Sequence, residues 1–265
     1  MVFSAIGVFD SGLGGLTVVR EIQRLLSNES ILYFGDSARV PYGTKSDETV
    51  RKFSKEIVNF LICKNVKAIV VACNTASAVA LDMLSEKRTI PILGVVNPGA
   101  RAALSATRSG KIGVIGTTST IQSNAYLASI RSLDRNVTVV SQPCPLLVPL
   151  VEEGWLNHPV TKQVLEIYLQ PLIEKKIDTL ILGCTHYPLL KQTIREVLPH
   201  PIQIVDSAES VAKDIKKLLL RENLLNSELN RAEYRYYVTD MPKRFKEIGE
   251  RFLQSTIDSV EMVSL

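Results

Sequence analysis

Residues 177–188 read IDTLILGCTHYP, an apolar run that ends in a glycine, a cysteine and further polar residues. A run of apolar and β-branched residues before a polar turn predicts a buried strand that delivers Cys184 into a loop. Residues 67–75, KAIVVACNT, repeat the same order of apolar strand, small residue, thiol and polar side chains. Cys73 and Cys184 lie 111 positions apart, so we expect each half of a repeated unit to carry one thiol.

The strands around the two cysteines repeat at nearly the same offset. Residues 6–12 match residues 112–118 at an offset of 106, and residues 92–96 match residues 202–205 at about 110. Three strands in the same order predict a duplicated α/β unit, which gives two pseudo-symmetric α/β domains built on parallel sheets. We place the second domain at residues 98–207.

The remaining residues, 1–97 plus 208–265, form the predicted first domain. The segment from residue 208 onward has no counterpart in the duplication, so we expect it to fold back onto the first domain. Residues 97–99, Asn-Pro-Gly, predict the crossover between the domains.

Composition narrows the class of protein. A chain of 265 residues with 46% hydrophobic and 22% charged residues is typical of a globular enzyme and long enough for two domains. The longest apolar runs are about six residues, and no signal-peptide pattern precedes the first strand, so we expect no membrane contact and a cytoplasmic location. The net charge is +4 and the basic residues are dispersed among acidic ones, so we expect no nucleic-acid partner.

The four cysteines, at positions 63, 73, 144 and 184, form no CxxC pair. This spacing favours neither a disulfide framework nor a structural metal site. Cys63 ends a predicted helix and Cys144 lies between two prolines, and we interpret both as structural. A zinc site at Cys184, His186 and a distant third ligand stays open as an alternative, although C-x-H is a weak signal.

The glycine-rich segment 10–16, DSGLGGL, does not fit a nucleotide fingerprint. The third glycine of GxGxxG would fall at position 17, which is Thr17. Asp10 and Ser11 are instead expected at the carboxyl end of a parallel strand, where α/β sheets bind ligands. Segment 35–43, GDSARVPYG, predicts an irregular loop at the same edge, with either plain turn chemistry or a ligand contact.

Two predicted helix starts face this edge. Residues 74–77 could cap a helix next to Cys73, and a helix N-terminus favours the thiolate form of a neighbouring cysteine. Residues 116–120, GTTST, place hydroxyl and amide groups at another helix start, which suits a carboxylate.

Two matching thiols suit the inversion of a stereocentre, because one base and one acid must act on opposite faces of a carbon and exchange roles in the reverse direction. One cysteine must be a thiolate while the other is a thiol, so each needs its own control of pKa. The first half offers Asp10 for this, and the second offers His186, with Glu152 as a partner that orients the imidazole.

Four segments together resemble the motif set of bacterial glutamate racemases, in the aspartate/glutamate racemase family: residues 9–16, 35–43, 72–76 and 183–188. The resemblance covers essentially the whole chain; one departure is Ser37, where the family more often has threonine. It implies a cofactor-independent enzyme that interconverts L- and D-glutamate for peptidoglycan precursors. It also implies two α/β domains with the active site in the cleft between them, no metal, and a homodimer.

Carried over by position, the resemblance makes Cys73 and Cys184 the two acid/base thiols. Asp10 would assist Cys73, and His186 with Glu152 would assist Cys184; motif position favours Glu152 over Glu153. The residues implied in substrate binding are Asp10, Ser11, Pro41, Tyr42, Gly43, Asn74, Thr75, Thr117, Thr118, Thr185 and His186.

Several functions stay open at this stage. The choice of glutamate over aspartate or a related amino acid rests on the resemblance alone. A covalent cysteine nucleophile, and a non-catalytic two-lobe protein that captures an amino acid, are the rivals. For a racemase, the carbanion must be stabilised by hydrogen bonds to its carboxylate and by exclusion of water, which predicts closure of the domains.

Overall fold

The computed structural model describes residues 5–86, 90–226 and 232–265. The predicted first domain also includes residues 1–4, 87–89 and 227–231, which lie outside the described residues. The strands of the described part form two sheets. They are β1 (Ile6–Asp10), β2 (Ile31–Gly35), β3 (Ala68–Val71), β4 (Ile92–Gly94), β5 (Lys111–Gly116), β6 (Thr138–Pro143), β7 (Thr179–Gly183), β8 (Gln203–Asp206), β9 (Tyr234–Val238) and β10 (Val260–Met262).

Both sheets are parallel throughout, and they share one strand order. The first sheet runs β10-β9-β2-β1-β3-β4 and the second runs β6-β5-β7-β8. The order β2-β1-β3-β4 therefore recurs as β6-β5-β7-β8, which confirms the α/β class and the duplicated unit predicted from the sequence. Strands β1, β2, β3 and β7 are buried along their full length, as expected for parallel strands covered on both faces.

Helices connect successive strands, as parallel pairing requires. Helix α2 starts where the Ser46 hydroxyl accepts a hydrogen bond from the Thr49 amide, and α8 and α11 start with proline, whose missing N–H costs nothing there. The helices are α1 (Leu16–Leu25), α2 (Asp47–Cys63), α3 (Asn74–Ser85), α4 (Val96–Ala106), α5 (Thr118–Gln122), α6 (Ala125–Leu133), α7 (Leu147–Glu152), α8 (Pro159–Glu174), α9 (Lys191–Val197), α10 (Ser207–Arg221) and α11 (Pro242–Leu253).

The C-terminal segment joins the first sheet. Strand β9 pairs with β2, β10 pairs with β9, and α11 packs on α1. The ring of Phe245 in α11 lies 5.8 Å from that of Tyr33, which is itself fully buried in β2. The C-terminal segment thus extends the first sheet by two strands.

One local expectation needs a correction. Residues 97–99 form no turn but lie inside α4, because Pro98 falls in the first helical turn, where a missing N–H is tolerated. Separately, no helix within the three described ranges is long and apolar enough to cross a membrane.

Candidate active site

A cavity of about 340 Å³ lies between the carboxyl ends of the two sheets. Residues from both halves of the duplication line it, including Cys73 from one half and Cys184 from the other. Ten of the eleven residues that the resemblance implies in substrate binding border this cavity; Asp10 does not. The structure therefore places both thiols at one cavity large enough for a small ligand.

Cys73 follows β3 and is the N-cap of α3. Its Sγ accepts a hydrogen bond from the Ala76 amide at 3.5 Å and donates to Oγ of Ser11 at 3.6 Å. The N-cap of α3 predicted at residues 74–77 is wrong, because the Cys73 thiol itself fills the N-cap position. Cys73 is 5% exposed and borders the cavity.

Burial raises the pKa of Cys73 to about 12, and the nearby charge of Asp10 adds to the rise. Hydrogen bonds with Ala76 and Ser11 oppose this rise. The helix N-terminus therefore favours the thiolate, as the sequence analysis expected, but burial outweighs it. At neutral pH this side of the cavity carries a thiol.

Asp10 ends β1 and is fully buried behind the Ser11–Gly12 turn. Its Oδ2 accepts a hydrogen bond from the Gly12 amide at 3.0 Å, and its Oδ1 accepts one from the Thr185 hydroxyl at 3.3 Å. Burial raises the pKa of Asp10, opposed by the charge of His186. Within the described part of the chain Asp10 makes no hydrogen bond to Cys73, and it acts on that thiol through its charge.

Cys184 follows β7 and faces an imidazole. Its Sγ lies 3.9 Å from Nδ1 of His186, and Nε2 of the same ring lies 3.0 Å from Oε1 of Glu152 at the end of α7. Phe252 of α11 packs edge-on against the imidazole, with ring centres 5.3 Å apart. The neighbouring Glu153 is exposed and pairs instead with Arg244.

Burial lowers the pKa of His186, but hydrogen bonds to Cys184 and Glu152 outweigh it and raise the pKa to about 10. For Glu152 burial raises the pKa, and the hydrogen bond and charge of His186 more than reverse this, so its pKa is lowered. At neutral pH the pair is imidazolium and carboxylate. The two thiols therefore sit in different electrostatic surroundings.

Hydroxyl groups join the two halves at one side of the cavity. Oγ1 of Thr75, in α3, lies 2.9 Å from Oγ1 of Thr117 and 3.0 Å from Oγ1 of Thr120, and the last two are 2.9 Å apart. Gly43 packs so tightly here that a Cβ would lie 2.5 Å from Cβ of Thr117. Glycine is thus required for the close approach of the two halves.

Tyr42 is held from behind by a buried acid. Its hydroxyl donates to Asp36, whose other contacts are the Thr239 hydroxyl at 3.0 Å and Nε of Arg39 at 2.7 Å. The Val40–Pro41 peptide beside it is cis. Asp36 was not predicted, although an acid directly after β2, one position beyond the residue that pairs with Asp10, was an available signal.

Tyr126 was also missed, because it lies within a helix and belongs to no local motif. Thr120 lies in the segment 116–120 singled out in the sequence. The hydroxyl of Tyr126 donates to Oδ1 of Asn74 at 2.6 Å. Of the other cysteines, Cys144 is buried and Cys63 is exposed. Among the described residues no group of three or more His, Cys, Asp or Glu side chains could hold a metal ion.

The sequence profile of the Asp/Glu/hydantoin racemase family matches residues 6–215. The chain is 52% identical to the glutamate racemase of Syntrophus aciditrophicus, over 98% of this chain and 96% of that protein. It is 49% identical to the glutamate racemase of Geobacter metallireducens, over 100% and 98%.

The fold is similar to a solved structure as well. The crystal structure of glutamate racemase from Francisella tularensis in complex with D-glutamate superposes with a TM-score of 0.93 at 43% identity, and the match covers 100% of this chain and 98% of that one.

Proposed function

This chain belongs to the Asp/Glu/hydantoin racemase family, as a member of its glutamate racemases, and from that premise we propose that it interconverts L- and D-glutamate by two-thiol proton transfer without a cofactor. The supporting observation is that Cys73 and Cys184, from matching positions of the duplicated halves, border one cavity of about 340 Å³. A carbon held between them would have one sulfur on each face.

The different surroundings of the thiols supply the two protonation states that the reaction needs. Cys73 has a pKa raised to about 12 and serves as the acid. Next to Cys184 stands the His186 imidazolium, which gives a thiolate there a counter-charge. The thiolate of Cys184 removes the α-proton from one enantiomer and the thiol of Cys73 protonates the opposite face; the other enantiomer is processed with the roles exchanged.

Asp10 and Glu152 influence the thiols without taking part in proton transfer themselves. The charge of Asp10 disfavours ionisation of Cys73 and keeps it a proton donor. Glu152 accepts from His186 and so keeps the imidazole charged and oriented toward Cys184. These roles follow the assignment that the resemblance implies.

The α-proton of an amino acid is weakly acidic, so the carbanion needs hydrogen bonds to its carboxylate. We propose that Asn74, Thr75 and the backbone N–H of Thr185 donate them on one side, with the amide groups of α3 behind them. Ser11, Tyr42, Gly43 and the pair Thr117–Thr118 hold the second carboxylate. No lysine or arginine is among the described residues that line the cavity, so neutral donors and the His186 charge must balance the dianion.

We also infer the setting of the enzyme from the family. D-Glutamate made in the cytoplasm would supply peptidoglycan precursors, and the enzyme would act as a homodimer. The domains at residues 1–97 plus 208–265 and at 98–207 would close around the substrate, since an open cleft would hydrate both thiols.

The test is incubation of the purified protein with L-glutamate in deuterated water, with L-aspartate as the comparison substrate. Optical rotation follows racemisation, and NMR follows deuterium at the α-carbon of both enantiomers. We expect D-glutamate that carries deuterium from its first appearance, while the remaining L-glutamate keeps its proton, because substrate and product protons pass through different thiols. Binding without deuterium exchange would instead identify a capture protein, and a covalent adduct on one cysteine would identify a nucleophile.

A further inference from the structure

Tyr126 spans the space between the two halves. It lies in α6 and is 2% exposed. Its ring packs against Gly183, the residue before Cys184, where a Cβ would lie 3.2 Å from Cε2 of the tyrosine. Its hydroxyl lies 2.6 Å from Oδ1 of Asn74, the residue after Cys73. A single side chain thus reaches from the strand of one thiol to the helix of the other.

The hydrogen bonds at this tyrosine have one direction. An amide oxygen only accepts, so the phenol of Tyr126 donates to Asn74. Burial raises the pKa of Tyr126, so the phenol keeps the proton that it donates, and the neighbouring Ser207 side chain opposes the rise. Gly99 leaves room for both groups, because a Cβ there would lie 3.3 Å from the phenol oxygen and 3.4 Å from Cβ of Ser207.

The hydrogen bond from Tyr126 decides which end of the Asn74 side-chain amide faces the cavity. Oδ1 is taken by Tyr126, and the structure gives Nδ2 no hydrogen-bond partner among the described residues. Asn74 is 3% exposed and borders the cavity. An amide turned by 180° would present an oxygen there, which repels a carboxylate.

We propose that Tyr126 is a positioning residue that acts through Asn74, fixing the amide so that Nδ2 donates to a carboxylate of the substrate. The identity of that carboxylate rests on the proposed function; the orientation of the amide does not. The same contact keeps Asn74 and Cys73 in register with Gly183 and Cys184 across the cleft.

Kinetics test the proposal through a double-mutant cycle. Tyr126→Phe removes one oxygen and keeps the ring on Gly183, and we expect it to lower kcat/KM for both enantiomers about tenfold, mainly through KM, as for loss of one hydrogen bond to a charged ligand. On an Asn74→Ala background the same substitution should change kcat/KM by less than about twofold. Tyr168→Phe, in α8, is the matched control and should leave activity unchanged. An equal loss on both backgrounds, or no loss in Tyr126→Phe, would overturn the proposal.

A second readout needs no substrate turnover. The side-chain amide resonances of Asn74, identified by their absence in Asn74→Ala, should shift in Tyr126→Phe and stay in place in Tyr168→Phe. Unchanged resonances in Tyr126→Phe would contradict the proposal even in a well-folded variant. Because this measurement is made on the free protein, it decides the inference even if the wild-type enzyme fails to racemise glutamate.

Discussion

Nε2 of His186 lies 3.0 Å from Oε1 of Glu152, while Nδ1 of the same ring lies 3.9 Å from Sγ of Cys184. The imidazole therefore connects a carboxylate at the end of α7 to a thiol at the end of β7. On the opposite side of the cavity Cys73 caps α3 and has the buried Asp10 behind it. The duplication supplies two thiols in matching places, and unmatched neighbours give them different electrostatic surroundings.

Removing the carboxylate should weaken the catalytic role of the imidazole. In Glu152→Gln the pKa of His186 falls, because the partner that favours its charged form is gone. We expect kcat/KM to fall about tenfold or more, the equivalent of a hydrogen bond to a charged group, and the alkaline limb of the pH profile to move to lower pH. Glu153→Gln alters the exposed neighbour that pairs with Arg244 and should leave the profile as in the wild type. Identical profiles in all three proteins would contradict the role of Glu152.

The same pair should make folding stability depend on pH. The pKa of His186 rises from 6.5 to about 10 on folding, so its protonation stabilises the native state fully below about pH 6.5, and this stabilisation is lost as the pH rises through 10. Urea unfolding at pH 6, 8 and 10 should show the free energy of unfolding decreasing. The decrease should be smaller in His186→Gln, and equal slopes in both proteins would argue against a charged His186.

Gly43 and Thr117 give a test of the contact between the halves. Gly43→Ala should lower kcat/KM strongly, because the new Cβ would fall 2.5 Å from Cβ of Thr117 and force the halves apart. On a Thr117→Gly background, which removes the three atoms nearest to the new Cβ, the same substitution should cost little. Additive losses in the double variant would show that Gly43 acts on something other than this approach.

Thr120 gives a test of the hydroxyl cluster. Thr120→Val keeps the shape of the side chain and removes one of three mutually bonded hydroxyl groups. We expect the free energy of unfolding to fall by about 1 kcal/mol and KM for glutamate to rise several-fold, because Thr75 and Thr117 lose a common partner. Thr120→Ser should behave like the wild type in urea unfolding and in kinetics. A serine variant as impaired as the valine variant would point to packing instead.

Much of the fold follows from local signals in the sequence. Cys63 ends helix α2, as predicted, and local signals mark helix starts as well: Ser46 caps α2 and Pro242 starts α11. The duplicated strands predict the shared order of the two sheets. Helix α4 was missed because Asn97, Pro98 and Gly99 are turn formers, and only packing shows that they begin a helix.

The site was predictable where its residues directly follow a strand. Cys73, Cys184 and His186 lie in such motifs, and the structure brings them to one cavity. Tyr126 was not predictable, since its role depends on the contact of α6 with α3. Thr120 lies in the predicted hydroxyl segment 116–120, but its bond to Thr75 depends on the packing of α5 against α3. The protonation preference of Cys73 was also misjudged: proximity to a helix N-terminus is visible in a sequence, whereas burial, which outweighs it, is not.

The most direct test of proton transfer by two thiols compares Cys73→Ser and Cys184→Ser with the wild type in both directions of racemisation. A hydroxyl is a much weaker acid than a thiol, so each variant should lose kcat/KM by about a thousandfold with L- and with D-glutamate while its circular dichroism spectrum and thermal unfolding stay unchanged. Cys63→Ser, on an exposed helix end, should retain full activity. Full racemase activity in either Cys73→Ser or Cys184→Ser would contradict proton transfer by two thiols.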